Sequence, residues 1–299
     1  MKTRASLVII CLALLILRPG RGAAVSVIYP TDAGRVTIHS EYRRLSQGEV
    51  VKVTLVSPEA ASAKVSFDGK EYPFASDPEG LKHFTLIVLR LDMEPGTYDA
   101  VVHLQPFHGV PKDIAFKLAM SRGTFPSGTI RVAQRFTSPT AAQLNRIREE
   151  QAFLRGIYTS SVPDWLGTGK FVMPVDDRVT GVFGARRIFN DEVVSRHRGV
   201  DIRSPAGAPV KASNTGKVVL DRDLYFSGNT VILNHGIGLF SIYCHLSETV
   251  VREGAVIEKG TVIGRVGSTG RSTGPHLHWG LRLGDDYADP LSIVHLSFD

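Results

Sequence analysis

Five of the ten histidines in this chain fall between positions 197 and 278. The run Pro275-His276-Leu277-His278-Trp279-Gly280-Leu281-Arg282-Leu283 alternates in polarity. A strand sends successive side chains to opposite faces. Leu277, Trp279, Leu281 and Leu283 therefore make an apolar face, and His276, His278, Gly280 and Arg282 make the other. Two imidazoles at i and i+2 then point the same way, about 7 Å apart along the strand. The run Leu239–Leu246 reads alike, with Phe240, Ile242, Cys244 and Leu246 facing a core and Ser241, Tyr243 and His245 on a polar side.

A carboxylate comes from His197-Arg198-Gly199-Val200-Asp201. Four extended residues span about 13 Å, too far for two ligands of one ion, so the chain must curl, and Gly199 permits that. His197, Asp201 and His278 would then supply two imidazoles and one carboxylate. Zinc takes such donors at about 2.0–2.2 Å, and three protein ligands leave a fourth position for water, as catalytic sites do. A polar core cluster with every group satisfied is the alternative. His245 and His276 would stand unligated beside that water, and a free imidazole, titrating near pH 6.5, can exchange protons at neutral pH. There is no His-Glu-x-x-His and no phosphate-binding loop. Cys244 is expected to be a buried thiol, Asp221 and Asp223 a polar turn, His235 part of a turn, and His295 a surface residue.

His197-x3-Asp201, the stretch Tyr243-Cys244-His245-Leu246-Ser247 and Gly274-Pro275-His276-Leu277-His278-Trp279-Gly280 together resemble the signature of the lysostaphin-type, or LytM-domain, zinc metallopeptidases. The likeness continues through Phe183-Gly-Ala-Arg-Arg, Gly228-Asn-Thr-Val-Ile, His235-Gly, Lys259-Gly-Thr-Val-Ile-Gly and Gly267–Gly274, and covers about 171–291. By that resemblance His197, Asp201 and His278 hold one zinc ion per chain, while His245 and His276 are the catalytic pair. It implies a mainly antiparallel β domain with a narrow groove and, as substrate, the stem peptides of peptidoglycan. Some members of that family have lost ligands and only activate other wall hydrolases. Here all five positions are filled, which favours an endopeptidase over a non-catalytic wall-docking regulator. The loops 185–196 and 267–274 are expected as groove walls, with Arg186 and Arg187 either meeting substrate carboxylates or solvated.

Other elements must position these groups. The chain has 299 residues, 43% hydrophobic and 21% charged, a globular composition with room for two domains. Its formal charge is +6, but Lys2, Arg4, Arg18 and Arg21 stand in the first 24 positions without an acid. Without them, 31 basic residues face 29 acidic ones, a net +2, which argues against a nucleic-acid partner. Lys2 and Arg4 precede 13 residues, Ala5–Leu17, that are apolar except for Ser6. That run is too short for a hydrocarbon core of about 30 Å. With Gly22-Ala23-Ala24 behind it, residues 1–24 read as a signal peptide, and a membrane attachment is expected only if the signal stays uncleaved. Export to the periplasm or cell envelope follows. Cys11 would leave with the signal, so Cys244 has no partner for an internal disulfide. No terminal wall-targeting module is legible, which favours an envelope enzyme acting on direct cross-links.

The expected fold is all-β with a connecting helix. Residues 25–125 carry about seven short β-rich runs, with a hairpin signal at Asp68-Gly69, and read as an immunoglobulin-like β-sandwich. Its histidines (His39, His83, His103 and His108) are expected to be structural or on the surface. Residues 126–170 form a helical linker: Ser138 would cap, Pro139 would open the helix, and Leu144, Ile147, Gln151 and Leu154 recur at helical spacing to about 157. Residues 171–299 form the metallopeptidase-like β domain.

Overall fold

A computed structural model describes residues 23–31, 34–58, 60–76, 82–160 and 164–298, so the expected signal peptide lies almost wholly outside the described residues. The chain is mostly strand. Nine strands come first: β1 (Ala23–Thr31), β2 (Gly34–Tyr42), β3 (Val50–Val56), β4 (Ala60–Phe67), β5 (Lys70–Pro73), β6 (Ala75–Ser76), β7 (Lys82–Val88), β8 (Gly96–Pro106) and β9 (Lys112–Met120). They form two antiparallel sheets, ordered β1-β2-β3-β7-β6 and β5-β4-β8-β9. Alternation drives their packing. In β9 Ile114, Phe116, Leu118 and Met120 are buried while Asp113, Ala115, Lys117 and Ala119 are exposed. These residues share one core with Val53, Leu55 and Leu86 of the facing sheet. The β4–β5 turn has Asp68 and Gly69 both at positive φ, 46° and 72°, the geometry that a two-residue hairpin demands. Here His83 is buried against Ser76, and His103 bridges Ser66 and Asp113.

The connecting stretch is not only helical. It contributes strand β10 (Ser127–Ile130), a 3-10 turn at Gln134–Phe136, and helix α1 (Ala141–Thr159). The helix is capped by Thr140 rather than Ser138. Thr140 and Gln143 exchange side-chain-to-backbone hydrogen bonds in a capping box, which satisfies two N–H groups at once and leaves Pro139 outside. Its buried residues are Ile147, Ile157 and Tyr158, whereas Leu144 is exposed.

The rest of the chain adds β11 (Arg178–Gly181), β12 (Arg186–Phe189), β13 (Val193–Arg196), β14 (Val200–Arg203), β15 (Pro209–Lys211), β16 (Gly216–Leu224), β17 (Gly228–Gly236), β18 (Leu239–Thr249), β19 (Val256–Ile257), β20 (Val262–Val266), β21 (Leu277–Leu283), β22 (Asp286–Ala288) and the short helix α2 (Pro290–Ile293). The main path is β11-β14-β21-β18-β17-β16-β19, antiparallel throughout. The β12–β13 hairpin forms a separate sheet, completed by β10 pairing parallel to β12.

Central strand β18 departs from the expected two-faced pattern. All of Leu239–Leu246 is buried, Ser241 and Tyr243 completely. Phe240, Ile242 and Cys244 pack against Ile157 and Tyr158 of α1, while Tyr243 and Leu246 join Val231, Leu277 and Trp279 on the opposite side. The two halves of the molecule are stapled from behind. Ile293 and Leu296 sit in the same core as the first two sheets, Arg43 pairs with Asp289 at 2.6 Å, and Val50 N–H donates to Ser292 Oγ at 3.2 Å.

Candidate metal centre

Strand pairing brings the site together. Asp201 on β14 lies directly opposite His278 on β21, and His278 lies opposite Cys244 on β18. Directly opposed residues on an antiparallel pair share a face, with Cβ atoms about 5 Å apart. His197 precedes β14 and is anchored by its backbone: its N–H donates to Ala185 and its carbonyl accepts from Gly184. Between His197 and Asp201 stands Gly199. A Cβ there would lie 2.5 Å from the Trp279 carbonyl oxygen and 2.8 Å from His278 Nε2. Gly199 is therefore needed for close approach of β21, a stronger reason than the chain flexibility expected of it.

His245 owes its aim to a β-bulge. Between the pairs Val231–Tyr243 and Asn229–Leu246, β18 advances three residues while β17 advances two. His245 sits in the extra position at φ 64°, and its N–H donates to the Ser227 carbonyl at 2.8 Å. A bulge resets alternation and re-aims a side chain. Leu246 consequently packs on the same side as Tyr243, not with Cys244 as simple alternation gave.

All five residues singled out in the sequence meet. His197 Nε2, His278 Nδ1 and Asp201 Oδ1 lie 3.0 Å from one another in each pairing. His276 Nε2 is 3.7 Å from the same Asp201 oxygen. The His245 ring is 4.9 Å, centre to centre, from His276 and 5.9 Å from His278. His197, Asp201 and His278 form the metal-sized group of donors among the described residues.

The donor set itself asks for a cation. A carbonyl oxygen can only accept, so the 2.8 Å contact of His197 Nδ1 with Val182 O places a proton on Nδ1. Burial, outweighing the hydrogen bond to Asp201, pushes His197 down to about 4, so at neutral pH its Nε2 carries a lone pair. Burial tends to raise the Asp201 carboxyl, but its polar neighbours hold it ionised, well below the usual range. The His197–Asp201 edge thus sets lone pair against lone pair at 3.0 Å, an arrangement stabilised by a positive ion between them. Atoms held about 2.0–2.2 Å from one centre lie about 3–3.5 Å apart, so the triangle fits one divalent ion.

His245 and His276 repeat the orientation of His197. His245 Nδ1 donates to the Thr269 carbonyl and His276 Nδ1 to the Gly274 carbonyl, each at 2.8 Å. Their Nε2 atoms remain for chemistry. Burial first, then neighbouring His278 and His276, pushes His245 down to about 3.

Several expectations need correction. Arg187 does not await a substrate carboxylate, because its guanidinium already binds Asp201 Oδ2; Arg186 is exposed. Loop 267–274 and the β12–β13 hairpin touch through Arg271, which stacks on Phe189 at 4.0 Å and on Phe226 at 4.7 Å. Asp221 and Asp223 lie in β16, where Asp223 pairs with Arg146, and His235 is buried in β17 instead of a turn. Cys244 is a buried thiol as expected, pushed up to about 12 by desolvation. Sequence reasoning missed Arg187's role, Gly181, and the carbonyls of Val182 and Thr269. Arg187 closes the stretch Phe183-Gly184-Ala185-Arg186-Arg187 already noted in the sequence, which was the hint to it.

Residues 195–290 match the model of Peptidase family M23. Over 142 residues the chain is 38% identical to the peptidoglycan DD-endopeptidase ShyA of Vibrio cholerae, covering 46% of this chain and 33% of that protein. Over 117 residues it is 40% identical to the DD-carboxypeptidase/endopeptidase Mpg of Neisseria meningitidis, covering 39% of this chain and 27% of that one. These matches span about a third or less of the relatives' length. A crystal structure of a candidate peptidase M23 from Pseudomonas aeruginosa superposes with a TM-score of 0.64 at 28% identity, over 84% of this chain and 96% of that chain. The chain therefore carries a peptidase M23 domain of the LytM type. Such a family implies a metal, and the His/Asp/His cluster offers the donors for one.

Proposed function

We propose that this protein is a zinc-dependent endopeptidase that hydrolyses peptide cross-links of bacterial peptidoglycan. One observation carries the reading: three electron-pair donors converge at 3.0 Å without enough protons to join them, and two further imidazoles overlook them. Two nitrogens and one carboxylate oxygen are donors that zinc accepts, and His197, Asp201 and His278 would hold the ion. When bound, zinc supplies Lewis acidity towards a peptide carbonyl and towards water.

The chain's own residues supply the proton transfers. His245 and His276 each have Nδ1 fixed on a backbone carbonyl, so each ring presents Nε2 in one orientation. One Nε2 accepts the proton of the attacking water and passes it to the leaving amine as the peptide bond breaks. The other can donate a hydrogen bond from Nε2 to the carbonyl oxygen, as negative charge develops there, once it holds a second proton. A narrow approach remains on the histidine side: the side chains of His276 and His278 are 16% and 17% exposed. The names of the relatives support peptidoglycan as substrate. The leader-like first 24 residues support export to the periplasm or cell envelope.

The test is incubation of the purified chain with isolated sacculi, with mass analysis of the released fragments. Cross-linked muropeptides should fall apart at a peptide bond, a chelator should stop the release, and zinc should restore it. A chain with one bound zinc that leaves every cross-link intact would sink the proposal.

A further inference from the structure

Asp201 divides its carboxylate between two tasks. Oδ1 faces His197 and His278 at 3.0 Å, whereas Oδ2 receives a guanidinium proton from Arg187. Arg187 comes from a different sheet: it sits on β12, paired with Ser195 of β13. Both partners are largely buried, at 20% and 13% side-chain exposure, so the pair is shielded from solvent. The position facing it is Gly181, which pairs with Asp201 across an irregular β11–β14 register. A Cβ at 181 would lie 2.5 Å from Asp201 Oδ2 and 2.8 Å from Arg187 Nη2. Three strands thus keep one carboxylate oxygen occupied by a fixed cation.

We infer that Arg187 is a positioning residue that reserves Oδ2, so that Asp201 offers a metal ion one oxygen only. A carboxylate can bind a metal through one oxygen or two. With one, the two imidazoles and Asp201 make three donors and leave a position open for substrate or water. With two, the second oxygen would add a donor beside that position, crowding it and raising the coordination number to five. A second effect has the same sign: a fixed positive charge on Oδ2 draws electron density from the carboxylate, so the ion keeps more of its Lewis acidity. The guanidinium also repels the ion. Losing Arg187 should therefore leave the metal held at least as tightly but less reactive. A merely structural partner would behave in the opposite way, since its loss would loosen the site and weaken metal binding.

This inference rests on the metal-site reading above, and the experiment separates the two. The full chain, freed of metal, is loaded with one equivalent of Co2+, whose visible absorption reports coordination number where zinc is silent. Zinc affinity is measured alongside by chelator competition, and peptide cleavage by kcat/KM. The unaltered chain should give the intense absorption of a four-coordinate ion. Arg187→Met should show a several-fold weaker band, an undiminished zinc affinity, and a loss of about 10–100-fold in kcat/KM. Arg187→Lys, which keeps the charge, should recover most of the band. Gly181→Ala, which displaces the pair but retains both members, should fall between, and together with Arg187→Lys it decides the matter if Arg187→Met does not fold. An unchanged band in Arg187→Met or in Gly181→Ala would overturn the inference, as would reduced zinc affinity with the band unaltered. Failure of the unaltered chain to take up cobalt would instead overturn the metal-site reading beneath it.

Discussion

Two buried histidine clusters lie on the same sheet and differ in a single respect. His235 is fully buried in β17 and directs Nδ1 at the Thr215 carbonyl, 2.8 Å away. His197 is buried too and directs Nδ1 at the Val182 carbonyl at the same distance. Burial pushes both down to about 4, so both are neutral rings with a lone pair on Nε2. The difference is what that lone pair meets. His235 Nε2 faces Ser241 Oγ at 2.7 Å, and the chain runs on through Tyr243 Oη to Ser213. Hydroxyls turn their protons to suit, so every lone pair there finds a partner. His197 Nε2 faces a carboxylate oxygen and another ring nitrogen, none of which can turn. The first cluster is finished as folded, and the second leaves donors for an ion to complete. Buried histidine is thus a poor marker of function, and converging unpaired lone pairs are a good one.

Substitutions can break or sharpen this contrast. The largest effect is expected at the unfinished cluster: His278→Ala should lose its zinc, read by metal analysis, and with it all cleavage above background. His245→Ala should keep its zinc yet lose about 10²–10⁴-fold in kcat, the usual share of a proton-transfer group. If zinc content and rate fell together in both variants, the division between ligands and proton-transfer residues would be wrong. At the finished cluster the sign reverses. His235→Ala should leave zinc content unchanged but lower unfolding free energy by about 2–4 kcal/mol in denaturant melts, because the Thr215 carbonyl loses its ring partner, Ser241 keeps Tyr243 alone, and a buried ring's volume is left empty. Ser241→Ala, which strips only the hydroxyl from His235 Nε2, should be milder, about 1–3 kcal/mol.

Acid gives a fifth comparison. An unfolded histidine titrates near 6.5, whereas folded His197 and His235 titrate at about 4 and His245 at about 3. Between these values the unfolded chain binds more protons. The stabilisation is therefore complete above about pH 6.5 and is lost as pH falls towards 4. Metal-free protein should show this slope in denaturant melts from pH 7 to pH 4, and removing His235 should make it shallower by about one of three protons. A slope unaffected by that removal would show that His235 titrates normally when folded.

How far the sequence could be read depended on how local the geometry was. The alternation of Leu277, His278 and Trp279 is a property of any strand, so β21 and the aim of its histidines were legible from the run itself. The hairpin at Asp68-Gly69 was legible for the same reason. On β18 the same rule succeeded for Phe240, Ile242 and Cys244 and then failed. Tyr243 and Ser241 are buried because their face closes on a second core, with Trp279, Ser213 and His235 around them, while α1 covers the opposite face, and neither neighbour is written into the run 239–246. The cap at Thr140 was within reach, since Thr140-Ala-Ala-Gln143 is a capping-box pattern that Pro139 overshadowed.

By itself the sequence determined which chemistry is available: two imidazoles and a carboxylate able to bind a cation, two more imidazoles able to move protons, and the strands that carry them. Tertiary structure alone decided that His245 stands in a bulge, that Arg187 occupies the second oxygen of Asp201, and that His235 belongs to a closed network. The reason is physical. Side-chain direction within a strand follows from backbone geometry over two residues, but which lone pair ends up facing which atom depends on pairings between segments up to 81 residues apart.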